Sequence, residues 1–408
     1  MKSKILLALV FCVLAVAVFS AFVMSNRHVS VDQHKIGQVT YSNRARMIEI
    51  PGGIQFISSS AAGLGEVMGD AIDPRRDAPV PNIDIDLYLT NGTPVDTTTT
   101  GSDGKFTFSD LNYDEYHLVV DHPSYRPLDI YFEVDSDEIQ QLPPVWLVPE
   151  PVILAGDIGG RVIDVLSGNY LNLVALEFRK GIDPPAADPI VFTTQTFGNI
   201  GQYRYEAMQL DAGVYTVSAS KQGYRDDKFH VYVLGADEVA PQNGKLSPLI
   251  TGDEMRIVLT WGLNPSDLDS HLWGADPFGP SKVHLYYSVI PPYGTNPWGA
   301  YFTLDLDDVS SYGPETTTIR QWEPETYCFH VHNYSHQSNP YSMSMSNAGT
   351  TVTVLTATET KFFYVTPSTV ATAWGVFTVD GATREITTLN QYYHQSSASN
   401  VGQDCLWM

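Results

Sequence analysis

The sequence predicts an all-β protein built from three β-sandwiches in tandem, on three observations. The first is an internal repeat: Leu111 and Leu210, Tyr116 and Tyr215, and Tyr125 and Tyr224 are each 99 residues apart, with Phe106/Tyr205 and Leu147/Leu246 on the same offset. That period is the size of one small domain, too long for a solenoid unit. The second is strand-type alternation without sustained helical periodicity in either copy. The third is a change of texture after residue 250, where no third copy begins.

Composition supports this. The 408 residues include 23 Tyr, 26 Pro and 31 Gly, which suits short strands joined by tight turns. A charged fraction of 17% against 43% hydrophobic residues is that of a folded chain. The net charge of −23 excludes nucleic acid and anionic lipid surfaces as partners, since both would be repelled.

In chain order, Lys2 and Lys4 precede a charge-free apolar run from Ile5 to Val23. Residues 1–24 thus read as a signal peptide or a retained membrane anchor, and the chain beyond Arg27 should lie outside the cytoplasm, secreted, periplasmic or at the cell surface. Residues 25–64 read as a linker or an added strand, and Ser58-Ser59-Ser60-Ala61-Ala62-Gly63 as a spacer. The first repeat spans 65–150. Ile83, Ile85, Leu87 and Leu89 alternate with Asp84, Asp86 and Tyr88, then Asn91-Gly92 marks a hairpin turn and Asp103-Gly104 another. The second repeat spans 151–250, with strands at Val174–Phe178 and Val214–Ser218. The third sandwich spans 251–391. Its strands include Met255–Trp261 and Tyr327–His332, and it closes on a hairpin at Asp380-Gly381, ahead of a polar tail over 392–408.

The repeat motifs are Ser102-Asp103-Gly104-Lys105-Phe106, Leu111 through Tyr116, Leu210-Asp211-Ala212-Gly213-Val214-Tyr215 and Gly223-Tyr224. They resemble the carboxypeptidase regulatory-like, or transthyretin-like, module. That resemblance implies spacer or docking units. The zinc-ligand pattern of a carboxypeptidase, His-x-x-Glu, is missing from the sequence. The third region carries Leu259-Thr260-Trp261-Gly262, Asp267-Leu268-Asp269-Ser270-His271-Leu272, Leu304 through Asp308, Tyr312 through Thr316 and Val331-His332-Asn333-Tyr334-Ser335. This series resembles the bacterial YfaP-type domain of uncharacterised function, which implies an exported β-sandwich and no particular reaction.

Residues two apart in a strand share a face. Asp267, Asp269 and His271 should therefore project together, as should Asp305 and Asp307. Carboxylates crowded on one surface repel unless solvated, protonated or bridged by a cation. Two readings stand: a solvated acidic face, or a divalent-cation site for Ca²⁺, or for Zn²⁺ or Mn²⁺ if His271 takes part. Cys328, His330 and His332 form a second stripe, with His330 and His332 as outer candidates or plain surface histidines. Cys328 and Cys405 can pair as a disulfide, or Cys405 can stay a free thiol in the tail. Trp273, Phe278, Tyr286, Tyr287, Tyr293, Trp298, Tyr301 and Tyr312 either fill the core or form an aromatic rim for sugar rings. Asn333-Tyr334-Ser335 matches a glycosylation sequon.

No nucleophile elbow, zincin helix, phosphate loop, Cys-x-x-Cys or dinucleotide fingerprint occurs in the sequence. The expectation is an exported, non-catalytic protein whose repeats present a ligand-binding third domain to a polysaccharide or a surface protein. The alternatives are a self-assembling filament subunit that adds strands to neighbours, and a metal-dependent hydrolase using Asp267, Asp269 and His271.

Overall fold

The 99-residue period returns as a repeated set of backbone contacts. The structure, a computed structural model, describes residues 64–407 apart from 77, 136–138, 151–153, 238, 240, 292 and 367–368. It also describes the backbone of four short strands nearer the N-terminus, Lys35–Ile36 paired with Val39–Thr40 and Ala45–Ile50 paired with Gly53–Ser58. The apolar run Ile5 to Val23 lies outside the described residues. Among those described, no helix is long and apolar enough to cross a membrane.

In the first sandwich one sheet runs in the order Leu128–Val134, Asp114–Val120, Asp84–Leu89, Pro94–Thr99, all antiparallel. The facing sheet is built around Gly65–Asp73, paired antiparallel with Lys105–Leu111 and parallel with Ile139–Gln141 and Val145–Trp146. Ile85 and Leu87 turn into the core, while the alternate Asp84 and Asp86 accept from Thr99 and Thr97 on the neighbouring strand. The hairpin turn holds Gly92 at φ +85°, a conformation a side chain would strain.

The second sandwich follows the same path: Phe192–Gln195, Ala175–Lys180, Gly213–Ser220 and Asp227–Val233 form its four-stranded sheet. Equivalent details sit 99 residues apart. Asp110 and Gln209 both take φ 58°. Tyr116 Oη donates to Asn112 O at 2.8 Å, and Tyr215 Oη to Asp211 O at 2.6 Å. Tyr125 bridges Pro149 as Tyr224 bridges Pro248.

The copies differ where they touch. Strands 84–89 and 175–180 start 91 residues apart, whereas 128–134 and 227–233 start 99 apart, so the second copy carries eight more residues between those strands. The enlarged loop after Lys180 returns to the first sandwich. Ile182 N–H donates to Asp129 O at 2.9 Å, Tyr131 N–H donates to Ile182 O at 3.0 Å, and the Ile182 side chain is buried in the first core. On its other side the second sandwich meets the third. Arg225 Nη1 donates to the carbonyls of Thr356 and Glu359, and buried Arg256 donates to Ser247 Oγ and Pro248 O.

The third sandwich packs two five-stranded antiparallel sheets. One runs Phe302–Leu306, Glu315–Ile319, Met255–Thr260, Thr351–Leu355, Thr360–Tyr364. The other runs Lys282–Leu285, Asp269–Ala275, Thr326–His332, Ala373–Asp380, Ile386–Tyr393. Ile257, Leu259, Leu272, Phe329, Val331 and Phe377 fill the space between them. The chain after Tyr393 is no loose tail. Ala398, Val401 and Cys405 are buried on the outer face of the second sheet, and Cys405 is bonded to Cys328.

Candidate functional site

Strand 269–275 sends Leu272 into the core and Asp269, His271 and Trp273 to the opposite face. Its neighbour does the same with Phe329 and Val331 against Cys328, His330 and His332. The register sets Asp269 across from His332, His271 from His330 and Trp273 from Cys328. Three polar or aromatic cross-strand pairs therefore occupy one face, which the C-terminal tail covers. Trp273 Nε1 donates to Val401 O at 2.7 Å, and His332 Nε2 meets Gln395 O at 3.0 Å. His271, His330 and His332 are all buried, so the surface-histidine expectation is corrected. The reason is the tail, held by the disulfide over a face that would otherwise meet water. Cys328, being oxidised, offers no thiolate.

Asp269 sits at the start of its strand, where the two sheets of the sandwich approach each other. Glu315, at the start of strand 315–319 in the other sheet, reaches across and accepts from Ser270 N–H at 2.5 Å. Asp269, Asp307 and Glu315 can each place an oxygen within 4.8 Å of the others, and Asp269, His271 and His332 can do the same with one atom each. Asp267, Asp269 and Asp307 thus stand in one neighbourhood, but not on the solvated face that alternation alone allows.

Asp305 does not join them. The strand shifts register between Leu304 and Leu306, a bulge that breaks the alternation and turns Asp305 to Arg320 Nη2 at 2.9 Å. The expected Asp305/Asp307 pair on one face is corrected accordingly. Glu315 is the residue that sequence reasoning missed. It carries no acidic neighbour two positions away, so only its place after Gly313-Pro314 marked it.

The electrostatics follow from burial. Burial raises the carboxyl of Glu315 well above its ordinary range, with the charges of Asp269 and Asp307 adding to it. Asp267 is pushed up to about 7 by burial and then by Asp269, Asp307 and Asp308. Burial also raises Asp269, against the pull of His332, and raises Asp307, which Asp269 pushes further. Burial and then the neighbouring His284, His332 and His330 hold His271 well below the usual imidazole range. His284 falls to about 3 and His330 to about 4 for the same first reason. Burial thus disfavours the charged forms of His271, His284 and His330 and of the four carboxyls, and a cation entering the cluster would favour the ionised carboxylates.

An aromatic path leads from this cluster outward. Tyr286 stacks on His284 at 4.4 Å and on His271 at 5.3 Å. Tyr287 packs edge-on against Tyr286, Tyr293 and Tyr334. Tyr293 is 67% exposed and Phe278 70%, whereas Trp273 is buried against the disulfide and takes no part in a rim. Trp298 and Tyr301 brace the core from its edge. Asn333 is fully buried and donates to Ser344 Oγ, which corrects its reading as a glycosylation site.

The family model described as the carboxypeptidase regulatory-like domain matches residues 66–143, the first sandwich. No curated protein matches the chain. Among solved structures, a streptococcal ancillary pilin is similar at 14% identity over 54% of this chain and 73% of that one, with a TM-score of 0.19. The Bacillus anthracis TIE protein is similar at 13% identity over 65% of this chain and 45% of that one, TM-score 0.19. The minor pilin of Streptococcus agalactiae is similar at 14% identity over 46% and 98%, TM-score 0.19. Superpositions this loose carry no argument about this chain. The resemblance seen in the sequence is thus matched for residues 66–143, which carry a carboxypeptidase regulatory-like domain.

Proposed function

We propose that this is an exported, non-catalytic extracellular or cell-surface protein in which two carboxypeptidase regulatory-like modules, divided near residue 150, carry a ligand-binding sandwich that begins near 251. The observation that carries the reading is the exposed tyrosine group at one end of the third sandwich. Tyr293 and Tyr334 flank Tyr287, and Tyr286 joins them to a buried His/carboxylate cluster. Flat rings beside polar groups suit sugar rings, so a polysaccharide is the preferred ligand and a surface protein the second choice. A glycan array probed with the whole chain tests this, with Tyr293→Ala and Tyr334→Ala as controls. Loss of an array signal in both variants supports it. A signal indifferent to both, or none at all, removes the sugar reading.

Homo-assembly has one observation of its own. Strand Pro94–Thr99 lies at the edge of its sheet with nearly every residue exposed, and its free backbone edge can accept another strand. Light scattering on the whole chain, with and without residues 24–60, tests whether that N-terminal segment supplies the strand.

A further inference from the structure

At the end of the third sandwich, the acceptor atoms of buried histidines and carboxyls converge on one another. His332 Nε2 is engaged by the Gln395 carbonyl, so the neutral ring carries its hydrogen there and Nδ1 presents a lone pair. His271 Nδ1 lies 2.9 Å from His284 Nε2, and in the tautomer where His271 Nδ1 donates that bond, His271 Nε2 presents a lone pair as well. His271 Nε2, His332 Nδ1 and Asp269 Oδ2 are all buried without a hydrogen-bond partner. Asp269 Oδ2 stands 3.8 Å from His332 Nδ1, near enough for an ion pair if the ring is protonated but beyond hydrogen-bond reach, so neither atom satisfies the other's hydrogen bond.

The oxygen side repeats the pattern. Glu315 uses Oε1 on Ser270 N–H, while its Oε2 and Asp307 Oδ1 are buried and unpartnered. Buried polar atoms without partners are costly, and here five residues aim theirs into two adjoining groups that share Asp269. Each imidazole also has the support that metal-bound histidines usually have, its second nitrogen held by a carbonyl or another ring.

We propose that these residues form a divalent-metal centre built around Asp269. Asp269, His271 and His332 take one ion of borderline character, Zn²⁺, Mn²⁺ or Fe²⁺. Asp269, Asp307 and Glu315 make an adjoining all-oxygen position for a harder ion such as Mn²⁺, Mg²⁺ or Ca²⁺. Two imidazoles with a carboxylate select the first class, and three carboxylates the second. The proposal rests on this geometry and not on sugar binding, so either reading can fail alone.

The test uses the whole chain, stripped with EDTA and dialysed into metal-free buffer, then titrated with ZnCl₂, MnCl₂ and CaCl₂ by calorimetry, with elemental analysis after gel filtration. The expected result is about one tightly held Zn²⁺ per chain, with affinity falling tenfold or more in His332→Gln. Glu315→Gln should keep the Zn²⁺ and lose the second ion. His330→Gln should keep both, because His330 is on the same face but in neither ligand set. Wild-type protein retaining no more metal than Asp269→Asn/His332→Gln overturns the proposal, as does a loss in His330→Gln equal to that in His332→Gln. Should the variants fail to fold, Co²⁺ titration of the wild type decides. Saturable binding near one equivalent, with a visible spectrum distinct from that of hydrated Co²⁺, supports the site, and the absence of any saturable binding overturns it.

Discussion

The Gln395 carbonyl meets His332 Nε2 at 3.0 Å, so the C-terminal tail sets which nitrogen of a buried histidine faces Asp269. The same tail accepts from Trp273 through Val401 O and from Lys282 Nζ through Cys405 O at 2.6 Å, and it is bonded to Cys328. A sheet face that would otherwise be polar and wet becomes a buried one, and burial produces the shifted ionisation of His271 and His330.

Removing the disulfide should therefore loosen the tail and the histidine face together. The bond spans 77 residues, and chain entropy for a loop of that size gives about 4 kcal/mol as an upper figure. Cys405→Ser should lower the thermal midpoint and open His330 and His332 to diethylpyrocarbonate. A variant that melts lower but keeps both histidines protected would show that the tail stays docked without the bond.

The junction of the first two sandwiches depends on Ile182. Its side chain is 1% exposed in the first core although it belongs to the second copy. Ile182→Ala should cost about 2–4 kcal/mol, as expected for a large-to-small change in a core. Calorimetry should then resolve an earlier transition for the first sandwich. A single unshifted transition would mean that the two modules do not depend on this contact.

Asp183, next to Ile182, gives the second sandwich an acid-sensitive contact. Burial alone would raise its pKa, but His230 at 3.3 Å and Lys228 at 3.6 Å outweigh that and hold it below the ordinary 3.8. A depressed carboxyl adds stability above its unfolded value and loses it as pH falls through the folded one. Asp183→Asn should melt below wild type at pH 7, with the gap closing below pH 3.8. The side chain is 37% exposed, so solvent screening keeps the effect under about 1 kcal/mol. A gap that widens on acidification would reverse the sign of this argument.

The all-β architecture was legible because its signals are local. Alternation at Ile85 and Leu87 and the turn at Asn91-Gly92 need no knowledge of distant residues, and a tyrosine hydrogen-bonded four residues back recurs wherever its motif recurs. The candidate site was legible only in part. Alternation placed Asp269 with His271, and His330 with His332, because each pair lies on one strand. It could not show that the register sets Asp269 beside His332, that a bulge removes Asp305, or that Glu315 arrives from the other sheet. Each of these depends on a partner far away in sequence. The covered histidine face was hidden for the same reason, since the covering residues follow the last strand in a segment of polar composition.

Asp305 and Asp307 offer the sharpest test, because two like residues two apart in sequence should respond differently to metal. Asp305 is paired with Arg320, but burial outweighs that attraction and raises its carboxyl, so Asp305→Asn should move the midpoint little, with or without metal. Asp307 faces Asp269 and Glu315, and in metal-free protein burial and the repulsion from Asp269 outweigh the hydrogen bond that Glu315 offers its charge. Asp307→Asn should leave the EDTA midpoint unchanged or raise it. Added divalent metal stabilises the protein by RT ln(1 + [L]/Kd), about 2.7 kcal/mol at a hundredfold excess, and the second-ion share of that gain should vanish in Asp307→Asn but persist in Asp305→Asn. Melts of both variants in EDTA and in Mn²⁺ read all four values. A lower EDTA midpoint for Asp307→Asn would mean that its carboxylate is already neutralised in the metal-free protein, which removes the electrostatic reason for a cation there.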